Sequence, residues 1–326
     1  MGTTDPSFRG SAGDSRPTRV QEPTLPGRRA WLLGAAAAIA CSRSERAAGG
    51  GSQPGVASPN ARLLDWDMGQ QPWGRARAAI VVPTWGGPET HYPVLVALHG
   101  RGEALKPPAE GIMGWPRDYA MVHAIDRLRA PPLRDTDYLG LVDPARMLQA
   151  NASLAARPFG GLIVACPWLP DFHPPGTADV TAYSRFVLEE LLPRVRRETP
   201  AVGRPEATGI DGVSLGGIIA LRIGLTSPDA FGAVGGIQPA ILEGQNAEWT
   251  ALAQAARARR TAIRLRLLTS HDDYFHDAIA SLSQAWRLGG IGHDFADVPG
   301  PHDYVFNRGP GSIELLFWHD RALSRS

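Results

Sequence analysis

Cysteine is almost absent. Only Cys41 and Cys166 occur in 326 residues, which excludes a disulfide-stapled scaffold and a cysteine-rich zinc site. Lysine is scarcer still. Lys106 is the single lysine among 33 basic side chains, and the dominance of arginine reads as a coding bias. No charge of either sign prevails, since 33 Lys and Arg stand against 32 Asp and Glu for a formal net charge of +1. A general nucleic-acid binder needs a basic surface to neutralise phosphates, so no nucleic-acid partner is expected. The short run Arg257-Ala258-Arg259-Arg260 suits a helix end instead. No apolar run approaches the ~20 residues that a membrane-crossing helix requires. What is present is an apolar share of 43% with 20% charged residues, enough for a large core and too much for wholesale disorder. The 37 glycines and 29 prolines, many outside the apolar runs, predict long loops.

The N-terminal stretch does not read as fold. Residues 1 to about 29 are polar and end in Arg28-Arg29; the apolar run Ala30 to Ala40 follows, then Cys41. That run is short for a bilayer and suits the core of an export signal. The arginine pair with Ala30-Trp31-Leu32-Leu33 resembles a twin-arginine export signal. Ala38-Ile39-Ala40-Cys41 resembles a bacterial lipobox, departing from it by an alanine where leucine is preferred. Residues 1–40 are therefore expected to be an export signal, with Cys41 the candidate lipidation site. Residues 41–75 are expected to be a flexible tether and lead-in, since Ala47-Ala48-Gly49-Gly50-Gly51-Ser52 lies within them. The expected location is the bacterial periplasm, or the membrane surface through a lipidated Cys41.

From residue 76 onward short apolar runs alternate with helical patterns. The runs 78–83, 92–98, 161–166, 208–213, 231–237, 263–269 and 291–298 have the length and continuity of strands buried on both faces. Helical spacing falls between them, over 180–197, 214–226, 247–260, 274–288 and 312–323. This alternation predicts an α/β fold with a doubly wound, mostly parallel sheet. Residues 103–158 interrupt the rhythm with Pro, Gly and Trp clusters and two further helical stretches, 119–129 and 143–156. They read as an insertion, or lid, over the strand ends.

One motif carries chemistry. Gly212-Val213-Ser214-Leu215-Gly216 fits G-x-S-x-G, with a β-type run entering and a Gly-rich apolar helix leaving. A strand–turn–helix this tight lifts the serine hydroxyl clear of the sheet, and glycines are needed on both sides because side chains would clash. Ser214 is thus the candidate nucleophile, with Gly212 and Gly216 as the elbow glycines. A serine needs a base. His302 follows the last predicted strand, at the carboxyl end of the sheet where sites in open α/β folds gather. A carboxylate should orient it from the loop after 263–269, which reads Ser270-His271-Asp272-Asp273. A small residue at the strand end, two more, then the acid is the common arrangement. Ser270 fills the first place and points to Asp273; Asp272 is the competing choice, and the other acid would be a helix N-cap. Two backbone N–H groups should hold the developing oxyanion. Leu215 supplies one, and Arg101, in His99-Gly100-Arg101-Gly102, is the choice for the second. The Arg101 guanidinium is expected to be solvated or to meet an acidic substrate group. His99 is expected to be structural.

The order Ser214, Asp273, His302, together with Leu98-His99-Gly100-Arg101-Gly102 and Gly300-Pro301-His302-Asp303, resembles the α/β-hydrolase superfamily over residues 76–326. Within it the chain is similar to the esterase D, feruloyl esterase and polyhydroxybutyrate depolymerase group. The resemblance implies hydrolysis of a small-molecule or carbohydrate-linked carboxylic ester through an acyl-enzyme, with no cofactor. An acyltransferase with the same triad and a non-catalytic hydrolase-fold lipoprotein are the alternatives. His271, Asp272, Asp273, His276 and Asp277 crowd one stretch, but the triad and a solvated turn explain them without a metal. Trp115 and Trp168 are either subsite walls or core.

Overall fold

The computed structural model describes residues 56–323. Arg28, Arg29, Cys41 and the rest of the expected export signal lie outside the described residues. The strands are β1 (Ala61–Gln71), β2 (Gly74–Pro83), β3 (Val94–Leu98), β4 (Ile163–Pro167), β5 (Thr208–Gly212), β6 (Ala233–Ile237), β7 (Arg264–Asp272) and β8 (Asp294–Pro301). They form one sheet in the order β1-β2-β4-β3-β5-β6-β7-β8. Pairing is antiparallel at β1–β2 and β2–β4 and parallel from β4 through β8. This is the mostly parallel, doubly wound α/β sheet that the sequence predicts.

β1 was not anticipated, and it lies in the stretch expected to be tether and lead-in. It is an edge strand, largely half-buried or exposed, so it carries charge instead of a continuous apolar run. Asp65 and Asp67 on β1 pair with Arg77 and Arg75 on β2. Its register with β2, from Ala61 opposite Pro83 to Gln71 opposite Gly74, makes it part of the sheet. The sheet therefore takes in Ala61–Gln71, ahead of the expected boundary at 76.

The helices are α1 (Met121–Arg129), α2 (Pro144–Ala156), α3 (Thr177–Arg185), α4 (Leu192–Glu198), α5 (Leu215–Thr226), α6 (Asn246–Arg259), α7 (His276–Leu288) and α8 (Ser312–Ala322). Successive strand side chains point to opposite faces, and this sorts the core into two layers. Val94, Val96 and Leu98 meet α3 to α7 on one face, while Leu95 and Ala97 meet α1, α2 and α8 on the other. A parallel neighbour such as β4 can be reached from β3 only by a crossover. Residues 103–158 are that crossover. Ile112, Trp115, Met121, Ile125, Leu128 and Leu154 are buried in the second layer, so most of the segment is a packed helical layer on one face, while Gly111 and Gly114 lie against Trp168 and His99 at the strand ends. Trp115 is fully buried and belongs to this core.

Candidate active site

The serine sits where the chain is forced to turn. β5 ends at Gly212, and Ser214 holds φ 56° and ψ −116° before α5 begins at Leu215. A non-glycine residue at positive φ stores strain that packing must maintain. The packing here is backbone on backbone. A Cβ on Gly216 would come within 2.4 Å of the carbonyl oxygens of Leu98 and His99, and one on Gly212 within 2.5 Å of the Gly216 carbonyl. The Ser214 N–H donates to the Ile237 carbonyl at 3.1 Å, and the Val213 N–H to the Leu98 carbonyl at 3.1 Å. The elbow is thereby pinned between β3 and β6. Its tight turn leaves the first N–H groups of α5, Leu215 foremost, without helical acceptors.

The acid and the imidazole meet across β7 and β8. His302 Nδ1 lies 2.7 Å from Asp273 Oδ1. The Asp273 side chain is wholly buried, and that of His302 is 11% exposed. Thr269 Oγ1 donates to Asp273 Oδ2 at 2.8 Å and the Phe275 N–H to Oδ1 at 3.0 Å. A carboxylate accepting three such bonds is held in one orientation. Its bond to Nδ1–H fixes the tautomer and makes Nε2 the ring's acceptor. The rings of Tyr274 and Phe275 flank the imidazole at centroid distances of 5.3 and 5.5 Å. Asp272 is exposed at the end of β7 and faces no histidine of this pair. It does not cap α7, whose N-cap position is Phe275.

The loop after β3 lies beside the serine: a Cβ on Gly100 would be 3.8 Å from that of Ser214. Arg101 opens a short helical turn, Arg101–Ala104, capped by Gly100, so its N–H is at a helix start with no helical acceptor. The Arg101 side chain is partly exposed. It makes a two-pronged pair with Asp171, at 2.8 and 3.0 Å. His99 is structural, as expected. Its Nδ1–H donates to the Gly100 carbonyl at 2.9 Å and its Nε2 accepts from the Leu169 N–H at 2.9 Å. Burial pushes its pKa down to about 4, so it stays neutral and ties the loop to the segment after β4.

Several polar residues behind the site were not singled out from sequence. Gln238, at φ 43° after β6, donates from Nε2 to Ser270 Oγ at 2.5 Å and to the Pro301 carbonyl at 3.0 Å. It links the ends of β6, β7 and β8 immediately before His302. Asp211, on β5 just upstream of the elbow, receives Arg266 at 2.6 Å, His319 Nε2 at 3.0 Å and the Gly212 N–H at 2.7 Å. Burial opposes its charge, but Arg266 and His319 outweigh that, and its carboxyl is held below the ordinary range. Glu103 and Tyr119, both buried, and the half-buried Tyr304 form a third group. Only contacts between distant segments reveal these roles, so no local motif could have announced them. The acidic and histidine residues near α7 fall into two groups, and His271 joins the second through Asp297 at 3.8 Å. Asp273 faces His302, whereas His276 lies 2.9 Å from both Asp277 and Asp297. Among the described residues no group of three or more His, Cys, Asp or Glu side chains could hold a metal ion.

A serine on a strained strand–helix turn and a histidine–carboxylate pair at the carboxyl end of the same eight-stranded sheet have the layout of an α/β-hydrolase fold. Within that class, residues 170–272 match the model of the Esterase family, described as "Putative esterase". The matched segment contains the elbow and ends just before Asp273. No curated protein matches the sequence. Among solved structures, a ferulic acid esterase superposes with a TM-score of 0.60 at 18% identity, covering 81% of this chain and 99% of its own. The S-formylglutathione hydrolase of Staphylococcus aureus gives 0.56 at 14%, covering 80% and 99%. A ferulic acid esterase of Anaeromyces mucronatus gives 0.51 at 17%, covering 83% and 95%. At these identities the likeness is one of fold.

Proposed function

We propose that this chain is a serine hydrolase that cleaves carboxylic esters through an acyl-enzyme, with Ser214, Asp273 and His302 as its triad. The observation that carries the reading is the buried 2.7 Å pair of Asp273 and His302 on the sheet edge that also bears Ser214 at positive φ. His302 Nε2 takes the Ser214 proton as Oγ bonds to the ester carbonyl carbon. The carbonyl oxygen becomes an oxyanion held by the N–H groups of Leu215 and Arg101. As the intermediate collapses, the carbon–oxygen bond to the alcohol breaks and His302 gives the alcohol its proton. Water then adds to the acyl carbon and passes a proton to His302. Collapse of the second intermediate returns that proton to Ser214 Oγ and releases the acid. Asp273 stays ionised throughout and stabilises the imidazolium. No step calls for a cofactor.

The substrate is a small-molecule or carbohydrate-linked ester. Neighbours titled ferulic acid esterase, and a feruloyl esterase module complexed with sinapinate, support this class. Tyr274, 56% exposed and beside His302, offers an aromatic acyl group a face to stack on. Transfer to an alcohol other than water would use the same atoms, and product analysis with added alcohols separates the two. A non-catalytic role predicts no labelling by a fluorophosphonate. The reading predicts a covalent tag on Ser214 that disappears in Ser214→Ala and His302→Ala; a folded protein that takes no tag would refute it. We place the mature domain in the periplasm or on the membrane through Cys41, which metabolic labelling with palmitate, with and without Cys41→Ser, tests.

A further inference from the structure

Two loops have to be held in register for this chemistry, and the sheet does not join them directly. The oxyanion loop follows β3 and the histidine loop follows β8, with β5, β6 and β7 between them. A buried carboxylate closes the distance. Glu103, 1% exposed, lies in the same short turn that presents the Arg101 N–H. It accepts from the hydroxyl of Tyr304, which follows His302 closely in the chain, and from the hydroxyl of Tyr119. Tyr119 Oη in turn accepts the Gly100 N–H at 3.1 Å. The two tyrosine rings pack edge to face at 5.6 Å.

The backbone is shaped around this group. A Cβ on Gly102 would stand 2.9 Å from the Tyr304 hydroxyl, and one on Gly114 2.8 Å from Glu103 Cγ. The second glycine of His99-Gly100-Arg101-Gly102 is therefore explained by the network and not by the serine. The single lysine of the chain is used here as well. Lys106 lies 3.4 Å from Glu103 and 3.2 Å from Asp118. Stability alone does not call for such an arrangement, because a buried ionised group is commonly replaced by well-packed apolar residues at no cost. What a fully satisfied buried network does provide is a single rigid geometry.

We propose that Glu103, acting through Tyr304 and Tyr119, is a positioning residue that fixes the oxyanion loop against the histidine loop; this rests on the ester-hydrolysis reading above. Tyr304→Phe removes one hydroxyl and keeps the ring. The assay is turnover of a p-nitrophenyl ester by the purified protein, with active sites counted by fluorophosphonate titration. It is paired with inhibition by a trifluoromethyl ketone, which forms an oxyanion adduct with the serine. The expected result is a ~10–100-fold fall in kcat per titrated site, the scale of a misplaced oxyanion donor. KM and the melting temperature should change little, and ketone affinity should fall by the same factor as kcat. Glu103→Gln, which keeps one carbonyl acceptor, should lose less than Glu103→Leu. A merely structural role would lower the melting temperature and the number of titratable sites but leave kcat per site intact. Tyr304→Phe with wild-type kcat per site and wild-type ketone affinity overturns the proposal, whatever the Glu103 variants do. A wild-type protein that neither labels nor turns over esters removes the ester-hydrolysis reading itself, a distinguishable failure.

Discussion

Asp273→Asn changes one atom in the buried cluster and removes its charge. The carboxylate is 0% exposed, and Oδ1 is 2.7 Å from His302 Nδ1. When the imidazole takes the serine proton it becomes a cation whose charge centre is ~4 Å from that of the carboxylate, an attraction of about 4 kcal/mol at an effective dielectric of ~20. Both groups are shielded from water, so the surface discount for ion pairs does not apply in full. Losing that attraction only in the charged state raises the barrier by the same amount, or about 10³-fold in rate. The amide also weakens tautomer control. If its NH2 faces Nδ1, the imidazole must move its proton to Nε2 and can no longer act as base. Hydrolysis of a p-nitrophenyl ester by Asp273→Asn should therefore fall by at least ~10³-fold. Asp272→Asn, on an exposed side chain, should remain near wild type. Equal losses in the two variants, or an active Asp273→Asn, would refute the argument.

Other consequences follow from the packing around the site. Arg266→Met strips Asp211 of its charge partner, and should cost about 3–5 kcal/mol in denaturant unfolding because an unpaired carboxylate is left buried; an unchanged midpoint would contradict the pair's buried character. Gly216→Ala forces a Cβ to 2.4 Å from two carbonyl oxygens, so the variant should lose soluble fold or fluorophosphonate labelling; normal yield and labelling would show that the elbow is looser than described. Acid should destabilise the protein through His99. Its folded pKa is depressed by burial from 6.5 to about 4, so the unfolded chain takes up a proton that the native state refuses. Stability is then whole above pH 6.5 and falls as pH drops from 6.5 towards 4. His319, also depressed by burial, adds in the same direction. Urea midpoints across this range should decline, and His99→Gln should flatten the decline; a wild-type profile without slope would rule the mechanism out.

Much of the molecule is legible in local pattern. β2 through β7 coincide largely with apolar runs, because strands covered on both faces need an unbroken apolar sequence, whereas β8, the other edge strand, mixes exposed and buried residues. α5 follows from the Gly-rich apolar stretch after Ser214, and the elbow from glycines whose side chains would strike backbone. β7 runs past Ser270 to Asp272, yet the Asp273 side chain turns inward to His302 while Asp272 stays exposed. β1 escapes because an edge strand exposes one side and carries Asp65 and Asp67 there. The helices of 103–158 were visible, but their place was not. Amphipathic periodicity says that a helix buries a face, not against which layer it does so.

The sequence by itself determined the alternating strands and helices and the tight glycine-flanked turn at Ser214. Each of these is written in residues adjacent along the chain. Tertiary structure alone decided that Arg101 is occupied by Asp171, that Gln238 binds the turn before His302, and that Glu103 gathers tyrosines from segments far apart. These are contacts between distant segments of chain. A single buried acid or amide has no periodicity to betray it, and its partner is chosen by the sheet order and not by spacing.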